Sequence, residues 1–528
     1  MAVAASGAYG RPVMRMRPFF LAVVAVSLVV APVPARATYL PLEELPVESR
    51  LIRDIEDLAA TYGLGRAFHT TRPWDRADLG AFLDEVVALA PGAEGDPALA
   101  RLRRELGPGK EGRGPLIHAR DDQTALEVSP YLRADYGEDR ARRSVARDFR
   151  GGLQGAAAPS AGTLLFTDLY AGTESPGPHG NPIESRRFGL IEGVQVNSYF
   201  DRAYARARGP LGRVTLGHSW LRWGPGVTGG VGLSDGAPAF DYVEFRTRFV
   251  RRLQLEWFVA ALDPVAETYL AGHRIEVRPV ASVDLAFAEL ARFDGAANAP
   301  LYLVPLIPFS LVEKRLLQSS DLPADSLERE FKNNLMWTAD FTWRASPGAR
   351  LYGEVAVDDI SFSSEKRPLS IAWQLGAHGR RRLGGDAVSL RGECSRVYRY
   401  TYSVFHHHDF EFRGLPTGYP LGPDVEQLFG QVAWCRGADW TFALEAALVC
   451  KGEAELGDFY VLESPRPPLA LSGVVDRDSR IALSADWSPA SGLSLGLTSG
   501  YAQVRALDHV AGHDPRGAYG ATRFQLRW

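Results

Sequence analysis

The chain of 528 residues is short of several things, and each shortage removes a class of protein. It has three cysteines, Cys394, Cys435 and Cys450. An odd number set in strand-like stretches does not make a disulfide framework. Cys435 and Cys450 fall on neighbouring expected strands, and a single bridge between them stays open. No Cys/His spacing has the form of a zinc site, so neither metal nor cofactor is expected. Neither sign of charge dominates. The chain has 59 Lys and Arg against 63 Asp and Glu, with the bases, mostly Arg, scattered among acids, which is not the footprint of a nucleic-acid partner. Beyond Thr38 there is no uninterrupted apolar run of about 18 residues, so no helix is expected to cross a membrane. Ser/His/Asp order, G-x-S-x-G, Walker A and Rossmann patterns are lacking in any suitable context, so no catalytic residue is assigned and the expectation is a non-enzyme.

What is present begins with a leader. Arg11, Arg15 and Arg17 precede an apolar run of about twelve residues from Phe19 to Val30, and Ala35-Arg36-Ala37 gives a small-x-small cleavage site. The alternative, a membrane anchor, fits poorly because the run is too short to span a bilayer as a helix. Residues 1–37 are therefore expected to be a cleaved signal peptide.

From Pro46 to Leu106 the apolar period is helical. Val47, Leu51, Ile55, Leu58 and Tyr62 share one face, and Gly63 and Gly65 end it. Asp75 is a good N-cap for the next helix, with Asp78 three residues on and Trp74 placed to staple onto Leu79. A third helix starts at Asp96-Pro97 and carries Leu99, Leu102 and Leu106. A three-helix bundle over 38–110 is expected, either self-contained or covering the mouth of something larger.

Residues 111–528 alternate with period two. Ile481 to Trp487 and Arg523 to Trp528 are strict examples, and the chain closes on an amphipathic strand with a terminal aromatic. The gaps between expected strands also alternate, long then short, from 507–518 and 488–492 back to 209–213 and 171–190. Outer-membrane barrels connect their strands in this way. About 17 strands can be read, the first at 126–137, and a barrel with both ends on one side needs an even number, which places another within 140–157. The fold class is mainly β: a transmembrane antiparallel barrel of about 18 strands, with 16 the alternative count, and the helical bundle on the periplasmic side. Trp220, Trp257, Trp343, Trp434 and Trp487 fall near strand ends, where aromatic girdles belong.

Several side chains stand out as ligand candidates. Arg222 and Trp223 open a Gly/Pro-rich loop that runs through Asp235 to Asp241. Such a loop either stacks on and hydrogen-bonds sugars or folds inward to constrict the barrel. Arg274 and Glu276 share the inward face of one strand and can pair there. Glu354 and Asp358 share an inward face too, where two carboxylates can pair with arginines, hold Ca²⁺ or exchange protons. His406-His407-His408-Asp409 lies in a long loop, and its adjacent histidines cannot all turn to one metal.

The order of Thr71-Arg72-Pro73-Trp74, Trp223-Gly224-Pro225-Gly226 with Leu233-Ser234-Asp235, Ala271-Gly272-His273-Arg274, Asn333-Asn334-Leu335-Met336-Trp337 and Tyr352-Gly353-Glu354 to Asp358-Asp359 resembles the Wzi family of outer-membrane capsule-assembly proteins. That resemblance implies a signal peptide, a three-helix bundle and an 18-stranded barrel. It also implies lectin-like attachment of capsular or extracellular polysaccharide without chemistry. The partners expected are that polymer, outer-membrane lipid and lipopolysaccharide, and polysaccharide-export machinery. The rival readings are a diffusion channel for small polar solutes and, behind it, an outer-membrane hydrolase.

Overall fold

The computed structural model describes residues 40–46, 50–63, 68–106, 116–121, 124–174, 186–191, 194–250, 252–304, 307–318, 333–358, 370–403, 408–458 and 469–527. The leader, His406-His407, the 361–368 connection and Trp528 lie outside them.

Eighteen antiparallel strands close into a barrel. They are β1 Ala125–Asp139, β2 Ser144–Ser160, β3 Thr163–Glu174, β4 Val194–Gly209, β5 Gly212–Ser219, β6 Phe240–Val250, β7 Leu253–Asp263, β8 Thr268–Val280 and β9 Val283–Asp294. The circle continues through β10 Asn334–Ser346, β11 Ala349–Asp358, β12 Ile371–Leu383, β13 Asp386–Val397, β14 Val425–Arg436, β15 Trp440–Lys451, β16 Asp476–Ala490, β17 Leu493–Arg505 and β18 Arg516–Arg527. Closure joins β18 to β1, from Tyr519 opposite Asp139 to Arg527 opposite Tyr131. Two short strands, Ile117–Arg120 and Arg186–Ile191, each pair along one barrel strand only. The strand sought within 140–157 is β2, whose inward Asp148 and Arg150 and small Gly and Ala residues blur its period.

Period two gives the wall two faces. The outward face carries exposed Leu165, Leu285, Phe287, Leu375, Leu390, Leu428, Leu483 and Leu497. An apolar belt around a closed barrel is the surface a bilayer covers. Near the short-turn end this belt is edged by aromatics: Phe245 lies 4.3 Å from Trp257, and Trp440 contacts both Phe442 and Trp487. Trp220 is not part of that girdle. It turns into the long loop after β5, where its indole N–H donates to Ala237 O at 3.0 Å.

The inward face is polar, and it is covered. Helices α1 Arg50–Tyr62, α2 Arg76–Leu89 and α3 Pro97–Leu106 pack around Leu58, Leu79, Phe82, Leu99 and Leu102. Asp75 caps α2 by accepting from Asp78 N at 2.8 Å. The bundle closes the short-turn end of the barrel. Gly348 N donates to Ala60 O at 2.9 Å, Arg382 donates to Gly92 O at 2.6 Å, and Arg104 pairs with Asp439 at 2.8 Å. The expected alternative of a bundle that covers a mouth is thus the arrangement found.

The question left open by the cysteines is answered. All three cysteines are free. Cys435 faces inward beside Arg101 and opposite Thr441, whereas Cys450 faces outward opposite Glu426 at the other end of the strand pair, so the two cannot meet. The described part of the connection after β9 packs back on the wall. Its helices α4 Ala299–Tyr302 and α5 Phe309–Gln318 lie on the outside of the barrel, with Tyr302 stacked on Phe293 at 4.0 Å. Phe309 covers the outward His273–Glu289 pair (2.9 Å), and its N–H donates to Glu289 at 2.8 Å. A polar, ionisable pair on a lipid-facing wall is costly unless something covers it, and this flap does.

Candidate functional site

The inward residues are best read from the chain segments that enter the barrel. The arm Leu40–Pro46 reaches in from the short-turn end. There Glu44 meets Arg206 on β4 and accepts from Ser219 at 2.7 Å. Residues Phe68–Asp75 follow the same way. Thr71–Arg72 form a two-residue ladder with Arg222–Trp223, which joins the N-terminal segment to the loop arriving from the opposite end.

That loop, 220–239, is folded inward, and so are 401–403 and 408–424. Tyr402, in the left-handed region at φ 76°, donates its hydroxyl to Val231 O at 2.6 Å and accepts from Tyr419 N at 3.0 Å. Glu393 on β13 collects the amides of Val227 and Thr228 at 2.7 and 2.9 Å and the hydroxyl of Tyr352 at 2.8 Å. The glycines of the loop are there for close approach. A Cβ on Gly224 would stand 2.1 Å from Glu354 Oε2, and one on Gly226 would stand 1.8 Å from Gln374 Oε1.

Six of the seven candidate side chains belong to this plug. Arg222 pairs with Asp235 at 3.0 Å and also donates to Gly226 O at 2.5 Å. Trp223 is 1% exposed; its indole donates to Glu256 at 2.7 Å and meets Phe258 edge-on. Arg274 is held by Asp340 at 2.6 Å, Thr71 at 3.0 Å and Glu276 at 3.3 Å, so the inward Arg274–Glu276 pair is present and larger than the two residues alone. Glu354 accepts from Gly232 N at 3.3 Å, and Asp358 from Tyr402 N at 2.6 Å. These carboxylates hold loop backbone and do not line an open cleft. Among the described residues no group of three His, Cys, Asp or Glu side chains is placed to hold a metal ion.

Where the bundle meets this plug, charge is concentrated. Glu56 of α1 pairs with Arg72 at 2.6 Å and Arg391 at 3.1 Å. Burial pushes its carboxyl up, but Arg350, Arg391 and Arg72 together outweigh burial and hold it below the usual range. Asp57 is held low in the same way, burial being outweighed by Arg391, His378 and Arg380. Burial, with Arg350 and Arg72 adding to it, drives the His69 imidazole well below its ordinary value. Burial and the neighbouring Arg222 bring Arg72 down to about 10, so it is still charged at neutral pH.

The seventh candidate, Asp241, stands apart at the long-loop end. Its side chain is 73% exposed and pairs with His218 Nδ1 at 2.9 Å. Arg413, exposed at the tip of the Glu411–Phe412/Leu415–Pro416 hairpin, is close enough to act on its charge. Phe412 and Phe240, with centroids 5.7 Å apart, bring the two loops together. Nearby in the chain, Arg396 and Arg399 lie over Tyr398 and Tyr400 at 4.9 and 5.9 Å. His218, Arg413 and the Tyr398–Tyr400 stretch were not singled out from sequence. The alternation Tyr398-Arg399-Tyr400 is the signal that could have drawn attention to that stretch.

No protein-family model matches the chain, and no curated protein matches it by sequence. Solved structures do. Wzi of Escherichia coli, described as an outer-membrane protein involved in group 1 capsule assembly and a carbohydrate-binding β-barrel, aligns over 92% of this chain and 99% of its own. The identity is 14% and the TM-score 0.62, so the chain has a Wzi-like fold. OccAB2 of Acinetobacter baumannii aligns over 79% of this chain and 99% of its own at 11% identity and TM-score 0.43. OprD of Pseudomonas aeruginosa aligns over 76% and 94% at 10% identity and 0.41. The last two likenesses are too distant to carry an argument.

Proposed function

We propose that this Wzi-like barrel is a non-enzymatic outer-membrane protein that binds and organises capsular or extracellular polysaccharide at the cell surface. One observation carries the reading. The arm, the bundle and two long loops fill much of the bore, and their polar groups are spent on one another, so what the molecule offers a large partner is its loop surface. There Asp241 and Arg413 stand exposed, with the half-buried His218 paired to Asp241. A carboxylate, an imidazole and a guanidinium hydrogen-bond hydroxyls, aromatic rings stack on sugar faces, and a repeating polymer multiplies weak contacts into avidity.

The test is retention of the purified protein on polysaccharide extracted from the producing bacterium, with the polymer's chain length followed over time. Retention with no shortening is expected. D241A/R413A is expected to weaken it about tenfold, since hydrogen bonds to charged groups are worth roughly 1.5–3 kcal/mol. Shortened polymer would replace this reading with the hydrolase.

One feature favours the channel as a second reading. On β18 the inward side chains of Ala521, Arg523 and Gln525 are exposed, with Arg523 64% open, so the bore is wet along that wall. Steady single-channel conductance in a planar bilayer would support a solute path there.

A further inference from the structure

The outward wall from β15 through β18 to β1 differs from the rest of the belt in two independent ways. The first is charge. Arg477 and Arg505 are directly opposite each other in register, both exposed and both outward, at the long-loop ends of β16 and β17. On the next strand Arg516, opposite Gln503, is also outward and exposed. Arg140, just past the end of β1, follows; its backbone N–H donates to Ala518 O and its side chain reaches Glu138 at 3.1 Å. Four guanidiniums thus mark one margin of the lipid-facing wall on four consecutive strands. Like charges directly opposite across a pair of strands repel, and among the described residues Arg477, Arg505 and Arg516 form no ion pair; the nearby Asp514 accepts from Ala506 N at 2.9 Å.

The second is shape. Below those arginines the wall is hollowed into a groove of about 850 Å³. Ala485, Ser499 and Gly520 form its floor, and Leu483, Leu497 and Tyr136 rise at its sides. The floor residues point outward by the same register that turns Leu483 and Leu497 to lipid. An apolar groove under a basic margin, in which three of the four arginines form no ion pair, is complementary to a molecule with hydrocarbon at one end and phosphate at the other.

We propose that this wall is a docking site for a phosphorylated glycolipid of the outer leaflet. Its phosphates sit among Arg477, Arg505, Arg516 and Arg140, and an acyl chain lies in the groove over Ser499 and Gly520. An anion between Arg477 and Arg505 turns a repelling pair into a charge-assisted clamp. The site lies on the barrel's outer wall, so it stands whether or not the loop surface binds polymer; it rests only on the barrel being in an outer membrane.

The test uses the full-length protein purified in detergent and folded, as judged by heat-modifiable migration. The probe is bisphosphorylated lipid A, alongside the same lipid with both phosphates removed, and bound lipids are counted by native mass spectrometry. An anionic surface contributes about 1 kcal/mol per basic residue, roughly fivefold in affinity. R477Q/R505Q/R516Q is therefore expected to lower binding by at least about tenfold, and the dephosphorylated lipid to bind as weakly to the unaltered protein. S499W, which fills the groove and leaves the charges, is expected to reduce binding as well. R381Q/R436Q, which removes exposed arginines near the opposite, short-turn margin, is expected to leave it unchanged. Equal binding by the triple variant and the R381Q/R436Q control, or equal binding with and without phosphates, would overturn the proposal. So would displacement of the lipid by phosphate-bearing polysaccharide fragments, which would give the arginines to the polymer.

Discussion

Glu44 of the N-terminal arm and Arg206 of β4 form an ion pair sealed inside the barrel, their side chains 1% and 0% exposed. Ser219 completes the carboxylate, and Arg206 also donates to Leu42 O at 3.0 Å, so one arginine holds both the side chain and the backbone of the arm. Removing one partner of a buried pair leaves the other charged and unpaired, at a cost of about 3–5 kcal/mol. E44A should free residues 40–46 from the bore while the strand ladder stays closed. Limited proteolysis of the folded barrel, read by mass spectrometry, should show new cuts in the arm, and E44A/R206A should lose less than the two single effects added. An arm as protected as in the unaltered protein would contradict this account of the plug.

Docking of the bundle should weaken in acid, and the sign follows from three groups. Glu56 and Asp57 have carboxyls held below their ordinary values in the folded protein. Their contribution is complete above about pH 4 and is lost as pH falls through the lower folded values. His69 is held well below its ordinary value, so it is neutral when docked, and the undocked form takes the proton first once pH drops under about 6.5. All three act in the same direction. Hydrogen-exchange protection of residues 50–106, taken relative to the intrinsic rate at each pH, should fall from pH 7 to 5.5 and more steeply below about pH 4, with the strand ladder unaffected. Protection that is flat over that range would refute the electrostatic part of the docking.

Trp223 and Asp241 should separate structure from binding. Trp223 fills a site between Phe258, Gly272 and Leu290, and truncating a buried tryptophan costs about 3–5 kcal/mol. W223A should make the 220–239 loop open to protease. D241A, at an exposed side chain, should leave thermal stability within about 0.5 kcal/mol and change only polymer binding. The reverse pattern would mean that the tryptophan is a ligand platform and the rim is scaffold.

The free cysteines give a direct check of the register. Cys450 is half-buried on the outward face and Cys435 is buried inward. A membrane-permeable maleimide should modify Cys450 in the folded barrel and spare Cys435 until the protein is boiled, and reduction should not change gel mobility. A reducible mobility shift would place the two thiols on one face and break the β14–β15 register.

The barrel was legible because its information is local. A one-residue slip would turn every side chain of a strand to the wrong face, so alternation such as Ile481 to Asp486 is written into each strand. Turn residues such as Ser491-Gly492 mark the short connections. The inward placement of Arg274 and Glu354 followed from the same parity. Their partners did not, because Thr71, Asp340 and the amide of Gly232 come from distant segments that no local pattern connects. The flap was missed for the same reason. Phe309 reads as an ordinary loop aromatic until the His273–Glu289 pairing shows what it has to cover. Trp223 looked like a sugar platform because an aromatic beside Arg in a Gly/Pro loop fits that role and a core wedge equally well, and only burial separates them. Asp241 was singled out, but His218, its cross-strand partner on β5, and Arg413, brought near by the 411–416 hairpin, were not.

The measurement that bears most directly on the central claim is the partition of surface polysaccharide between cells and medium in a clean deletion strain. Retention by a surface lectin predicts unchanged total polymer with a larger share released into the medium, restored by the native gene and not by D241A/R413A. Unchanged amount and unchanged partition would contradict a polysaccharide-organising role for this barrel.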